Sequence, residues 1–253
     1  MMTDKKILVR PLKDADDATW IIDNLHDQMG SVASIIPSGF EAYARLYHPA
    51  WRMSRNNTRT TLMRWSEVAE ASGRVAHRQM QWAGIAGNEK PLSGYICLGS
   101  DAIPIEPPDE GTLPLEIAEP LASLLARYTK TPEMCQFAVW DGFNCSGTSL
   151  EEAASIAVAA LDRRWYLFRG PLSALEHSFC ESFHQSANMV WPEDRAWCVA
   201  TEIDLMMTYV GGKRGLIEAI LAAPDLEADE AHLEDSVLYD SDTVNPVRRS
   251  RWP

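Results

Sequence analysis

The chain has 253 residues, 46% of them hydrophobic, enough to bury a core as one large domain or two small ones. Its formal net charge of −13 excludes a general nucleic-acid binder, because phosphate contacts need a basic surface. Nothing after Ile7-Leu8-Val9 resembles a secretory apolar run, and no stretch reaches the roughly 18 apolar residues of a spanning helix, so a cytoplasmic chain without membrane association is expected. Five cysteines (97, 135, 145, 180 and 198) are scattered without any C-x-x-C, which fits reduced thiols better than a disulfide framework.

In chain order, residues 14–29 read as a helix, with Asp14 as N-cap, an apolar stripe through Ala18, Ile21, Leu25 and Met29, and Gly30 past the end. Val32 to Ile36 is β-branched and reads as a strand, turned by Pro37-Ser-Gly39 into a second strand over 40–48. On that second strand Tyr43, Arg45 and Tyr47 share a face. Such a row suits an anion or a flat ligand, or else it is aromatic packing with an arginine at its edge.

Asn56-Asn57-Thr58 is a polar connection, Ser66 to Ser72 a short helix closed by Gly73, and 77–93 too mixed to assign. Four prolines and a glycine within residues 103–114 mark a long surface loop or a lobe boundary. Beyond it, Leu121, Leu124, Leu125 and Tyr128 fall at helical spacing, with Pro120 in the first turn. Gln136 to Trp140 is a strand leading into Asp141-Gly142. Ser149 with Glu152 forms a capping box for a helix over 150–161, and Trp165 to Phe168 is another strand.

The stretch from Trp191 to Gly212 concentrates aromatics, charges, a turn and a strand. Pro192 and Asp194 make the turn, and Arg195 follows at the strand's mouth, within reach of the turn's carbonyls and the acids beyond. Alternation over Trp197 to Ile203 reads as a half-buried strand, leaving Glu202 and Asp204 on its solvent face, where they stay solvated or bind a cation or a basic partner. Gly211-Gly212 reads as a turn before a helix over 213–223, and is a weak phosphate signal.

His177-x-x-Cys180-Glu181-x-x-His184 would place four ligand types on one helical face. One face cannot wrap a tetrahedral ion, so no metal is expected. No Gly-x-Ser-x-Gly, Walker-type loop, dinucleotide fingerprint or His-Glu-x-x-His is present; no cofactor is expected and no catalytic residue is assigned. Nine tryptophans, several beside charges, offer rigid contact area for a binding surface, or fill the core.

Helices and short strands without a βαβ rhythm indicate α+β, with an antiparallel or mixed sheet flanked by helices. Residues 1–224 then form one globular domain. Residues 225–242 carry eight acids and no Lys or Arg, so 225–253 reads as an acidic, loosely docked or disordered C-terminal tail.

The run Pro192 to Asp204, the run Thr208 to Gly212, Gly39 to Arg45 and His48-Pro49 resemble a group of bacterial proteins of actinobacterial type, a resemblance that implies no activity. The order of strands at 137–141, 165–168 and 197–204 before a helix is similar to the immunity-type, SMI1/KNR4-like proteins, which implies a protein-binding role. The resulting expectation is a non-enzymatic module for a basic protein partner. The alternative is a small-ligand protein or enzyme with a pocket of aromatics, arginine and carboxylates. Candidate residues for either are Tyr43, Arg45, Trp140, Asp141, Trp191, Asp194, Arg195, Glu202 and Asp204.

Overall fold

The structure is a computed structural model that describes residues 9–26, 30–87, 96–98, 103–143, 153–158 and 163–247. Its frame is an antiparallel sheet of nine strands among the described residues. These are β1 (Arg10–Pro11), β2 (Ala42–Tyr47), β7 (Cys135–Trp140), β8 (Ser155–Val158), β9 (Arg163–Gly170), β10 (Met189–Pro192), β11 (Trp197–Thr201), β12 (Met207–Gly212) and β13 (Ala228–Ala231). Their order is β1-β9-β7-β10-β11-β12-β2-β13, with β8 sharing the outer edge of β9. A second sheet, in the order β4-β3-β6-β5, is built from β3 (Ala50–Met53), β4 (Arg59–Met63), β5 (Ile96–Leu98) and β6 (Ile103–Glu106). The α+β class with an antiparallel sheet flanked by helices is what the composition and patterning lead to.

Strand alternation splits the core into two layers. From β2, Ala42, Ala44 and Leu46 join one cluster and Tyr43 and Tyr47 the other. Strand β11 does the same, with Trp197 and Val199 on the first side and Cys198 and Ala200 on the second. The first side is covered by α4 (Leu115–Leu125) and α5 (Arg214–Leu221), whose Ile117, Leu121, Leu216 and Ile220 are buried there. The second side carries α1 (Thr19–Asn24), α2 (Trp65–Ala71), α3 (Trp82–Ala86) and the inner face of the small sheet. The large sheet is thus buried on both faces, and the expectation of a half-buried strand at 197–203 gives way to one whose five residues are all buried.

Other expectations are corrected. Val32–Ser34 is a 3-10 turn, not a hairpin strand, because Val32, Ile35 and Ile36 all turn inward to the core. The early helix ends at Asn24, and His26 N–H then bonds the Ala33 carbonyl at 2.8 Å. Of the helix expected over 150–161, residues 155–158 are strand β8, fixed by its ladder with β9; residues 150–152 and 159–161 lie outside the described residues. Pro120 stands inside α4. Gly211 and Gly212 lie within β12, and they are needed for space. A Cβ on Gly211 would lie 2.5 Å from the Phe40 ring, and one on Gly212 would lie 2.8 Å from Leu216.

Within the acidic C-terminal segment, residues 225–247 dock on the body of the fold. Strand β13 pairs along β2, Val237 is buried, and Asp242 is only 2% exposed, accepting from the backbone N–H groups of Val244 and Asn245. Asp235 and Asp242 cap local backbone, while Glu227 accepts from Trp65 and Ser66 N–H, Asp229 from the Tyr47 hydroxyl, and Asp235 pairs with Arg78, so a charge-rich segment still docks. Residues 248–253 lie outside the described residues. Cys135 and Cys198 are free and buried, whereas Cys180 is disulfide-bonded, so the expectation of reduced thiols fails for it.

Candidate functional site

A cavity of about 470 Å³ opens on the second side of the sheet, and residues far apart in sequence build it. Trp65 forms its floor from the first turn of α2. That helix starts where it does because the Glu227 carboxylate accepts from the N–H groups of Trp65 and Ser66 at 2.6 and 2.8 Å, while Glu67 accepts from Arg64 N–H at 2.7 Å. The Trp65 indole then donates to the His48 carbonyl at 2.7 Å, which fixes its ring beside Trp82 of α3, 5.5 Å between centroids.

The outer wall is Val237-Leu238-Tyr239. Its segment is strapped on by Val237 N–H to Gly30 O (3.1 Å), Val32 N–H to Asp235 O (3.0 Å) and Ala33 N–H to Leu233 O (3.0 Å). At its far end Asp242 accepts from Gln81 N–H at 3.3 Å, tying the strap to the start of α3. The opposite wall is Leu205, Met206 and Met207, entering β12. Methionine and tryptophan give an adaptable apolar surface.

Among the described lining residues, charge lies at one rim. The turn after β11 closes through Leu205 N–H to Glu202 O at 3.1 Å and Asp204 N–H to the Glu202 carboxylate at 2.7 Å. Gly111 bonds the Leu205 carbonyl at 3.0 Å with a φ of 73°, and a Cβ there would sit 2.5 Å from the Ile203 oxygen. A glycine at 111 therefore lets the neighbouring Glu110 stand beside Asp204. Burial, and after it the charge of Asp204, pushes the Glu110 carboxyl above its ordinary range. Arg163 crosses behind the rim, stacked over Trp140 at 5.6 Å, bonded to Glu202 and reaching Asp204 at 2.8 Å.

The expected site residues are thus divided. Trp140, Glu202 and Asp204 come together around Arg163, and Glu202 is 7% exposed instead of lying on a solvated face. Asp141 opens a 3-10 turn beside Trp140, over Asp141–Phe143. Tyr43 and Arg45 lie in the core: the Tyr43 hydroxyl donates to the Pro37 carbonyl, and Arg45 donates to the Arg78 and Met80 carbonyls with its guanidinium over Tyr47. Trp191 is buried edge-on to Trp20. Asp194 caps the 129–131 turn through Lys130 N–H and the Thr129 hydroxyl. Arg195 is exposed with its guanidinium over Trp20 at 5.3 Å, and among the described residues its side chain makes no bond to the turn's carbonyls or to acids. The 177–184 cluster is not helical, since the 3-10 turn before it ends at Glu176.

Sequence reasoning missed Glu110, Arg163, Trp65, Trp82 and the strap. A signal was available in Leu205-Met206-Met207, an adaptable apolar run directly after two acids. Comparison with family models, with curated proteins and with solved structures finds no match to this chain.

Proposed function

We propose that this protein binds a small, largely apolar ligand in the cavity between Trp65, Trp82, Met206 and Val237. The volume, about 470 Å³, carries the reading, since ligand pockets fall at roughly 300 to 1,000 Å³ with mostly apolar walls and a few convergent polar groups. The walls are ready-made: Trp65, Trp82 and Met207 lie in regular structure, Val237 is held by the strap, and the Met206 carbonyl accepts from His48 N–H at 3.1 Å.

The rival reading, a module for a basic protein partner, retains the net charge of −13 as its support. None of the eight described tryptophans is exposed, whereas Phe183 and Tyr239 are. No helix among the described residues is long and apolar enough to cross a membrane.

The test is a fluorescence titration with aminoanthracene, a neutral aromatic probe, against wild type and Leu205→Trp. The wild type binds with one site and a quench of the lining tryptophans; the plugged variant, folded by circular dichroism, loses the binding. Equal binding by both proteins would place the probe elsewhere and end this reading.

A further inference from the structure

Among the described residues lining the cavity only Glu110, Glu202 and Asp204 carry charge, and all three are acidic. Arg163 answers Glu202 and one oxygen of Asp204 from behind. Asp109, next to Glu110, is already paired with Arg59 at 3.1 Å. The Glu110 carboxylate has no ion pair or hydrogen bond among the described residues.

We infer that the cavity takes a cationic amphiphile, an amine whose protonated nitrogen lies between Glu110 and Asp204 and whose apolar body reaches Trp65 and Trp82. This rests on the ligand-binding reading above. An anionic ligand would meet like charge at this exposed acidic rim, and a neutral one would leave the Glu110 carboxylate without a partner. A cation gains charge-assisted hydrogen bonds from both carboxylates. A bare metal ion would use the rim and leave the apolar walls, most of the site, without a partner. Partial burial first, and the charge of Asp204 after it, raise the Glu110 carboxyl.

The experiment is calorimetric titration of the full chain with phenylbutylamine, phenylbutanol and phenylbutanoate, matched in body and different in charge. The amine binds roughly tenfold or more tighter than the alcohol, the scale of one charge-assisted hydrogen bond, and the acid binds weakest. In Glu110→Gln with Asp204→Asn the amine falls to the alcohol's affinity while the alcohol is unchanged. Added salt weakens the amine alone. Equal binding of amine and alcohol to wild type would overturn the cationic class and leave the cavity standing. Binding of none of the three would overturn both.

Discussion

The carboxylate of Glu227 accepts from the backbone N–H of Trp65 at 2.6 Å, joining the residue that precedes edge strand β13 to the first turn of α2 across 162 residues of chain. This one contact fixes the cavity floor and ties in the acidic segment. Glu227→Ala therefore strands two helix N–H groups and costs about 1 to 2 kcal/mol, read as a lower denaturant midpoint. An unchanged midpoint would mean that the segment does not hold α2 in place.

His48 gives the fold an acid limit. Its Nδ1 lies 2.6 Å from the Asp109 carbonyl, which can only accept, so Nδ1 carries the proton and Nε2 accepts from the Thr208 hydroxyl at 2.9 Å. Burial lowers the imidazole from 6.5 to about 4, against the smaller opposing effect of the Asp109 carbonyl. The unfolded chain then binds the extra proton first. Stability from this group is full above pH 6.5 and is lost as pH falls to about 4, by about 3 kcal/mol. Denaturation midpoints across that window show the loss. An imidazole titrating near 6.5 in the folded protein, by NMR, would contradict it.

Gly84 in α3 tests the strap. A helical Gly→Ala change ordinarily stabilises by about 1 kcal/mol. Here the added Cβ would lie 2.6 Å from the Asn245 carbonyl and 2.7 Å from the Asp242 carboxylate. Gly84→Ala is expected to reverse sign and destabilise by about 1 to 3 kcal/mol in denaturant titration, because one side must move. A stabilised variant would show the 242–245 segment to be displaced at little cost.

Strand positions were largely legible where alternation and aromatic content coincide, as at 42–47, 135–140 and 163–170, because burial on both faces still leaves period-two patterning. Val32–Ile36 misled because β-branched residues satisfy a tight buried turn as well as a strand, and residues 155–158 because only the β9 ladder decides them. Glu202 and Asp204 stood out as candidates, but their partner Arg163 lies about forty residues earlier in the chain. The cavity itself was not legible. Gly30, Trp65, Glu110, Leu205 and Val237 meet only through the strap and the sheet order, which no local pattern encodes.

Arg195 separates side chain from backbone. The sequence points to a paired structural arginine; the residue is exposed, in the left-handed region at φ 52°, over Trp20. Arg195→Ala loses the cation–π contact and keeps the strained φ, costing about 1 kcal/mol, whereas Arg195→Gly relieves the φ and stays near wild type. Denaturant midpoints compare the two. A loss of about 3 kcal/mol in both would restore the buried-pair reading.

The crystal structure of the full chain grown with phenylbutylamine tests the central claim most directly. It should show the phenyl ring between Trp65 and Trp82 and the ammonium within hydrogen-bond distance of Glu110 and Asp204. A cavity filled by its own Leu238 and Tyr239, with the amine bound only on the outer surface, would contradict the account.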